Sequence, residues 1–311
     1  FNGDRVTGEV IRLFGGLLEL KTSTMGTIKI EWQEIARLES PYHYEVRMSD
    51  GTRYYGSLDG ESRPGELALT DIYGDHMLNT LEIVEVRPVE RTFLDRISVR
   101  LSAGYSYTRA SEVMQTSFDA TVDYETEAGS TNFSARTTVT DTDTDSTSST
   151  RVDLGRRLWT GRDRWFRSFF TNYEDNDELN LNHRVGVGYG YGRHVVNTQR
   201  MRLTGAAGLQ ATTERGSGTS SEEQQNLELF LDGSFAAWRF ETPELALDFG
   251  LTLYPSITES GRLRSDLSLR LSWEMIKDLT WDISGWATYD NKSDSALDLD
   301  YAITTGIGWK D

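Results

Sequence analysis

From about Ser98 onward, apolar and polar residues alternate one by one in segment after segment, and a period of two admits only extended strands with two unlike faces. Phe118, Ala120, Val122 and Tyr124 interleave with Asp119, Thr121 and Asp123; Leu245, Leu247, Phe249, Leu251 and Leu253 interleave with Asp248, Gly250 and Thr252. Leu263, Leu267, Leu269, Leu271 and Trp273 oppose Asp266, Ser268, Arg270 and Ser272. The last segment sets Leu299, Tyr301, Ile303, Ile307 and Trp309 against Asp298, Asp300, Ala302 and Thr304. The pattern predicts twelve strands, over 96–108, 113–126, 131–141, 149–160, 164–173, 178–192, 197–212, 225–239, 243–254, 262–273, 278–290 and 297–310. Each is long enough to cross a bilayer, which takes about 9–11 tilted residues. Arg156 falls in the apolar row, and Phe169-Phe170 leaves the register of 164–173 open to a bulge.

The connections fall into two kinds. Short turns lie near 127–130, 160–163, 194–196, 241–243 and 276–277, and between them run longer loops rich in Asp, Glu, Ser, Thr and Gly, the short connection near Ala110 excepted. Trp159, Trp165, Trp238, Trp273, Trp281 and Trp309, six of the eight tryptophans, sit beside the short turns or the last residue. Indole rings favour the boundary between hydrocarbon and water, and outer-membrane barrels pair short periplasmic turns with long external loops. The expected fold is therefore all-β: a 12-stranded antiparallel transmembrane β-barrel in the bacterial outer membrane, with the six tryptophans as a periplasmic girdle. A soluble β-sandwich would also alternate, but does not account for strands this long or for tryptophans gathered at one rim.

Composition agrees. There is no run of 18 apolar residues, the mean hydropathy is −0.51, and there is no cysteine. The net charge of −17 divides into −7 for residues 1–90 and −10 for the remainder, which disfavours nucleic acid and anionic lipid as charge-driven partners. Outer-membrane lipid and lipopolysaccharide are the surroundings expected of the barrel itself. A barrel crosses the inner membrane first, so Phe1 is expected to follow a removed signal segment.

Residues 1–88 carry a repeat at a spacing of 48. Asn2-Gly3-Asp4-Arg5 and Gly8 match Asp50-Gly51-Thr52-Arg53 and Gly56; Gly26 matches Gly74, and Glu34-Ile35 matches Glu82-Ile83. Asn-Gly, Gly-Gly and Asp-Gly turns join short apolar strands, so two small bent β modules of SH3-like or Sm-like size are expected in the periplasm, with Trp32, Tyr54 and Tyr55 filling a small core. Residues 89–95 read as a linker and 96–311 as the barrel.

Little in the chain points to catalysis, and no catalytic residue, cofactor or metal site is assigned. The Gly186-x-Gly188-x-Gly190 run lies inside a strand without a following helix, so it is expected to lower the inner wall where bulky neighbours cross rather than to cradle phosphate. His183, one of four histidines, falls on the outward row, and no nucleophile elbow accompanies it. The acidic loops Asp141-Thr142-Asp143-Thr144-Asp145 and Glu174-Asp175-Asn176-Asp177-Glu178 have oxygen ligands suited to calcium but lack a glycine-centred binding frame, and are expected to be solvated. The inward rows hold Arg100, Arg136, Arg184, Arg202 and Arg270 with Asp119, Asp123, Asp232, Asp248, Asp266, Asp282, Asp298 and Asp300. Complete cross-strand pairing of these charges closes the lumen; incomplete pairing leaves a thin path that favours cations.

The run Tyr173-Glu174-Asp175, then Asn182-His183-Arg184-Val185-Gly186-Val187-Gly188-Tyr189-Gly190-Tyr191, with Gly205-Ala206-Ala207-Gly208-Leu209 and a closing Thr305-Gly306-Ile307-Gly308-Trp309, resembles the salt-induced outer-membrane protein family. The resemblance covers most of the strand-rich segment and implies an outer-membrane barrel, in some relatives behind an Asn-Gly-Asp-Arg-type β module; it implies no activity. Barrel-assembly signals usually finish on an aromatic residue, whereas this sequence ends Trp309-Lys310-Asp311, so the expectation is either that Trp309 serves that role or that the natural end lies further on. Two functions follow as expectations: a non-enzymatic barrel anchoring a periplasmic module that docks an envelope partner (protein or cell-wall material), or a narrow, weakly cation-preferring diffusion pore. A membrane-embedded hydrolase has only His183 and abundant serines behind it.

Overall fold

The computed structural model describes residues 3–60, 63–89, 96–109, 112–126, 128–160, 164–177, 181–216, 223–292 and 298–309. Residues 90–95 of the expected linker lie outside them. Among the described residues all regular structure is β apart from two single-turn 3-10 helices, and no helix there is long and apolar enough to cross a membrane, which says nothing of strands.

The first sheet comprises β1 (Glu9–Phe14), β2 (Leu17–Thr22), β3 (Gly26–Glu31), β4 (Ser40–Met48), β5 (Arg53–Leu58), β6 (Glu66–Asp71), β7 (Gly74–Asn79) and β8 (Ile83–Pro88). Its strand order, β3-β2-β1-β8-β4-β5-β6-β7, reads symmetrically about the β8–β4 pair. The repeat of 48 maps β3 onto β7 and the 3-10 turn Trp32–Glu34 onto Thr80–Glu82, residue for residue. The indole N–H of Trp32 donates to the carbonyl of Thr80, its own repeat equivalent, at 2.8 Å. The expectation of two separate modules is corrected here. β8, from the second copy, pairs with β1 of the first, and β4, from the first, pairs with β5 of the second, so the copies exchange strands into one sheet. One shared core results, containing Leu13, Leu18, Trp32, Val46, Leu58, Leu67, Leu69, Ile83 and Val86. Neither half alone could remove enough apolar surface from water to be stable. Trp32 belongs to this core and Tyr54 packs against it, whereas Tyr55 is exposed. Gly51, at φ 93°, supplies the left-handed residue of the Asp50-Gly51 turn that joins the halves.

The second sheet holds β9 (Ile97–Thr108), β10 (Val113–Thr126), β11 (Gly129–Asp141), β12 (Ser146–Trp159), β13 (Trp165–Asn176), β14 (Leu181–Asn197), β15 (Met201–Gly216), β16 (Gln224–Arg239), β17 (Leu245–Pro255), β18 (Leu263–Ile276), β19 (Leu279–Asp290) and β20 (Leu299–Trp309). Every strand is antiparallel to the next, in sequence order, and β9 and β20 are the two ends of that order. All twelve expected strands are present. Phe169 and Phe170 pair in regular register with Arg156 and Gly155; the bulge in β13 lies further on, between Glu174 and Asn176.

The registers fix which residues share a face. One row runs through Leu101, Phe118, Phe133, Leu154, Phe169, Val187, Leu209, Leu229, Phe235, Leu251, Leu267, Ile283 and Ile303. Much of this apolar row is open to the surroundings: Leu101 is 67% exposed and Ile303 70%. The opposite, concave row carries the polar and charged residues, among them Glu228 at 0% exposure. Side chains from strands that are not neighbours meet there, as where Phe170 of β13 contacts Phe230 of β16 edge-on at 5.2 Å. The glycine run of β14 lies on this row and works as expected of it. A Cβ at Gly188 would stand 2.1 Å from the Phe170 ring and one at Gly190 would stand 2.4 Å from Phe230, so only hydrogen lets those rings lie against the wall.

Candidate functional site

The eight-stranded sheet turns the face opposite its core toward the rim of the larger sheet. Alternation in β4 and β8 buries Tyr44, Val46 and Val86 on one side and leaves Glu45, Arg47, Glu85 and Arg87 on the other, where they form a charge network. Arg47 pairs with Glu85 at 2.7 Å and with Glu45 at 3.3 Å, and Arg87 reaches Glu45 at 3.2 Å. Arg87 also bonds Glu125 at the end of β10, at 2.7 Å, tying the two sheets together. Burial by itself would raise the Glu85 carboxyl pKa, but Arg47 and Arg87 outweigh it and hold the group below the usual carboxylate range.

A second tie is the turn between β14 and β15. Gln199 is buried, and its side-chain amide donates to the carbonyls of Thr80 at 2.7 Å and Ile83 at 2.9 Å. The indole N–H of Trp238 donates to the Gln199 carbonyl, and its ring stacks on Phe14. Gly16 sits directly over this contact; a Cβ there would be 2.9 Å from the Gln199 oxygen.

The expected ring of six tryptophans consequently divides. Trp165, Trp273, Trp281 and Trp309 lie at one end of the exposed row, with Trp281 donating to Thr305 at 2.8 Å. Trp159 and Trp238 belong instead to the concave row, in register with Phe166 and Ala246, and the smaller sheet covers them. Arg47 and Arg53 stack on Trp159 at 5.2 and 5.3 Å. An aromatic beside a short turn marks the rim; the register decides which side of the wall it takes.

The expected lumen charges all fall on the concave row where they are described, but they are not alike. Arg136 meets Asp119 at 2.5 Å and Arg100 meets Asp123 at 3.3 Å, near the open β9–β11 side, where both arginines are exposed. Arg184 is half-buried between Glu174 at 3.3 Å and Glu214 at 2.7 Å. Arg202 donates to Asn197 and lies over the Phe14 ring. Asp232 accepts from Thr252 at 3.0 Å. Asp248 stands opposite Arg270 in register, Asp266 opposite Thr252 and Thr288, and Asp282 opposite Ser272 and Gly306. Asp298 precedes β20 and accepts the Asp290 backbone N–H; the side chain of Asp300 lies outside the described residues.

The most deeply buried charges escaped the sequence reading. Arg262, at the foot of the loop before β18, bonds Glu214 at 2.6 Å and Asp290 at 2.8 Å, while Arg264 bonds the fully buried Glu228 at 2.5 Å. Glu214, Glu228 and Arg264 have the same parity as the expected residues of their strands, so the row was readable. The pairs Glu214–Arg262 and Glu228–Arg264 skip over intervening strands, which a linear sequence does not reveal.

Between the sheets lies a chamber of about 1090 Å³, walled by the charge network on one side and by Arg157, Trp159, Phe166, His194 and Arg202 on the other. His183 takes the exposed row beside a bulge, far in sequence and register from this wall. Ser146 donates to Asp141 in the first acidic loop, and Ser148 to Asp177 in the second. Among the described residues, no three His, Asp or Glu side chains converge in a way that could hold a metal ion.

A family model described as "Protein of unknown function, DUF481" matches residues 101–310, and the chain belongs to that family. The match spans the twelve-stranded sheet from within β9 to the end of β20. No curated protein matches the chain.

Proposed function

We propose that this chain is a non-enzymatic outer-membrane β-barrel that holds its eight-stranded sheet at the periplasmic mouth as a docking module for an envelope partner. The inverted polarity of the twelve-stranded sheet carries the reading. A continuous apolar row this large is costly in water, and soluble monomers rarely expose more than a few hundred Å² of contiguous apolar surface. In hydrocarbon the same row is favourable, and the buried Arg–Glu pairs are shielded on the concave side. An unpaired edge cannot rest in lipid, so this reading pairs β9 with β20. The two run in opposite directions and present matching rows, Val99 and Leu101 on one, Ile303 and Ile307 on the other. Four exposed-row tryptophans at the end bearing the short turns support a periplasmic orientation.

The docking role rests on the module's hairpin tips. Ile72 and Tyr73, between β6 and β7, are 90% and 88% exposed, and Met25, the repeat equivalent of Tyr73, is exposed at the β2–β3 tip. Apolar tips favour a protein over the hydrophilic polymers of the cell wall. The test is recovery of a stoichiometric protein with the detergent-solubilised full chain from envelope extract. Ile72→Ser combined with Tyr73→Ser is expected to lose it; equal recovery by the variant, or recovery of glycan alone, contradicts the proposal.

The narrow-pore reading draws on the chamber behind the mouth. Stable cation-preferring openings in planar bilayers favour it over the docking role, and a silent bilayer removes it.

A further inference from the structure

The chamber between the two sheets has two arginines, Arg157 and Arg202, that form no direct ion pair among the described residues. Arg157, on β12, stacks over Phe166 at 5.3 Å, and its guanidinium makes no hydrogen bond or ion pair among the described residues. Arg202, on β15, donates one hydrogen bond, from Nε to Asn197 at 3.1 Å, and stacks over Phe14 at 4.7 Å; its two terminal nitrogens have no hydrogen-bond partner among the described residues. Both line the chamber. Arg47, Arg157, Arg202 and His194 all line this one chamber. The carboxylates that line the chamber are engaged by other groups: Glu85 pairs with Arg47 at 2.7 Å, Glu125 pairs with Arg87 at 2.7 Å, and Asp232 accepts from Thr252 at 3.0 Å. Trp159 lines the same wall, and its indole N–H is buried without an acceptor.

Cations and donors left unpaired in a partly dry cavity are costly unless something enters to meet them. Next to them the wall changes character. Phe166, Phe170 and Phe230 lie on the concave face where the glycine row of β14 gives them room, with Tyr254 nearby. The volume is that of a site for an organic molecule rather than for a bare ion.

We propose that the chamber binds an organic anion with an apolar body, its acidic head held between Arg157 and Arg202 and its body laid against Phe166, Phe170 and Phe230. Guanidinium groups stacked on rings are pre-oriented and present their remaining N–H donors to a carboxylate or phosphate head. The inference does not depend on what the hairpin tips meet.

Calorimetry on the full chain in lipid nanodiscs tests it, with decanoate, decylammonium and inorganic phosphate as probes and empty discs subtracted. Decanoate is expected to saturate near one per chain, and decylammonium and phosphate to give no saturable heat. Arg157→Gln and Arg202→Gln should each weaken decanoate about ten-fold or more, while Arg215→Gln, on the exposed row, leaves it unchanged. Decanoate should also change tryptophan emission in the parent chain and lose that effect in Trp159→Phe, which keeps the test valid if an arginine variant fails to fold. Equal binding by the arginine variants, preference for decylammonium, or phosphate binding as well as decanoate overturns the proposal.

Discussion

The two sheets are built from the same kind of strand and have opposite interiors. In the eight-stranded sheet Leu13, Val46 and Val86 are sealed from the surroundings and the charged side chains face outward, toward solvent or the neighbouring rim. In the twelve-stranded sheet most leucines and valines and part of the aromatics face outward, while Glu214, Glu228 and Arg262 are buried. Period-two alternation is common to both, so alternation alone does not say which face is the inside. What differs is size and surroundings. A curved sheet of strands of six to nine residues can close over its own apolar face; strands of 11 to 17 residues in one sequential sheet turn that face outward and need an apolar solvent.

The largest expected effect probes the buried charges. Glu228→Ala leaves Arg264 uncompensated inside the concave face and should cost about 3–5 kcal/mol of stability, read from the urea midpoint in lipid vesicles. Glu19→Ala, which breaks the more exposed pair with Arg12 in the smaller sheet, should cost less than about 1 kcal/mol. Equal costs would erase the contrast between the sheets. Next is the tie between them. Gln199→Ala removes two hydrogen bonds to Thr80 and Ile83 and should cost about 1–3 kcal/mol, seen as faster hydrogen exchange around Thr80–Ile83 with the core of the smaller sheet unchanged. Faster exchange throughout residues 9–88 would mean that the smaller sheet is not stable by itself.

The smallest effect is a dependence on pH. The Glu85 pKa is depressed in the folded chain, so its contribution is present above the unfolded carboxylate value of about 4.3 and is lost as pH falls through the lower folded value. Trp emission near the junction should therefore change on acidification in the parent, with a smaller change in Glu85→Gln. An identical acid transition in both would show that Arg47 and Arg87 do not act through this carboxylate.

Much of this architecture is legible in the sequence, because both periodicity and turn chemistry are local. The strand 113–126 is read to the residue from Phe118 to Tyr124 and its flanks, and Gly26 and Gly74 mark equivalent hairpin tips in the repeat. The exchange of β4 and β8 is not legible, since the repeat shows that two segments are alike but not that each completes the other. For Trp159 the parity was available, shared with Arg151, Asp153 and Arg157, but its place beside a turn pointed equally to a lipid boundary. The chamber residues Arg157 and His194 carry no local signature at all; the smaller sheet, docked across the rim, makes them a site.

The central claim concerns what lies outside the exposed row, and the absence of cysteine makes it directly measurable. Single cysteines at positions 117 to 124 of β10, spin-labelled and read in lipid vesicles, report accessibility to oxygen, which concentrates in hydrocarbon, and to a nickel chelate, which stays in water. Oxygen accessibility is expected to rise at 118, 120, 122 and 124 and to fall at 117, 119, 121 and 123, with the chelate excluded from the even series. Free access of the chelate to the even positions would place that row in water and contradict the membrane assignment.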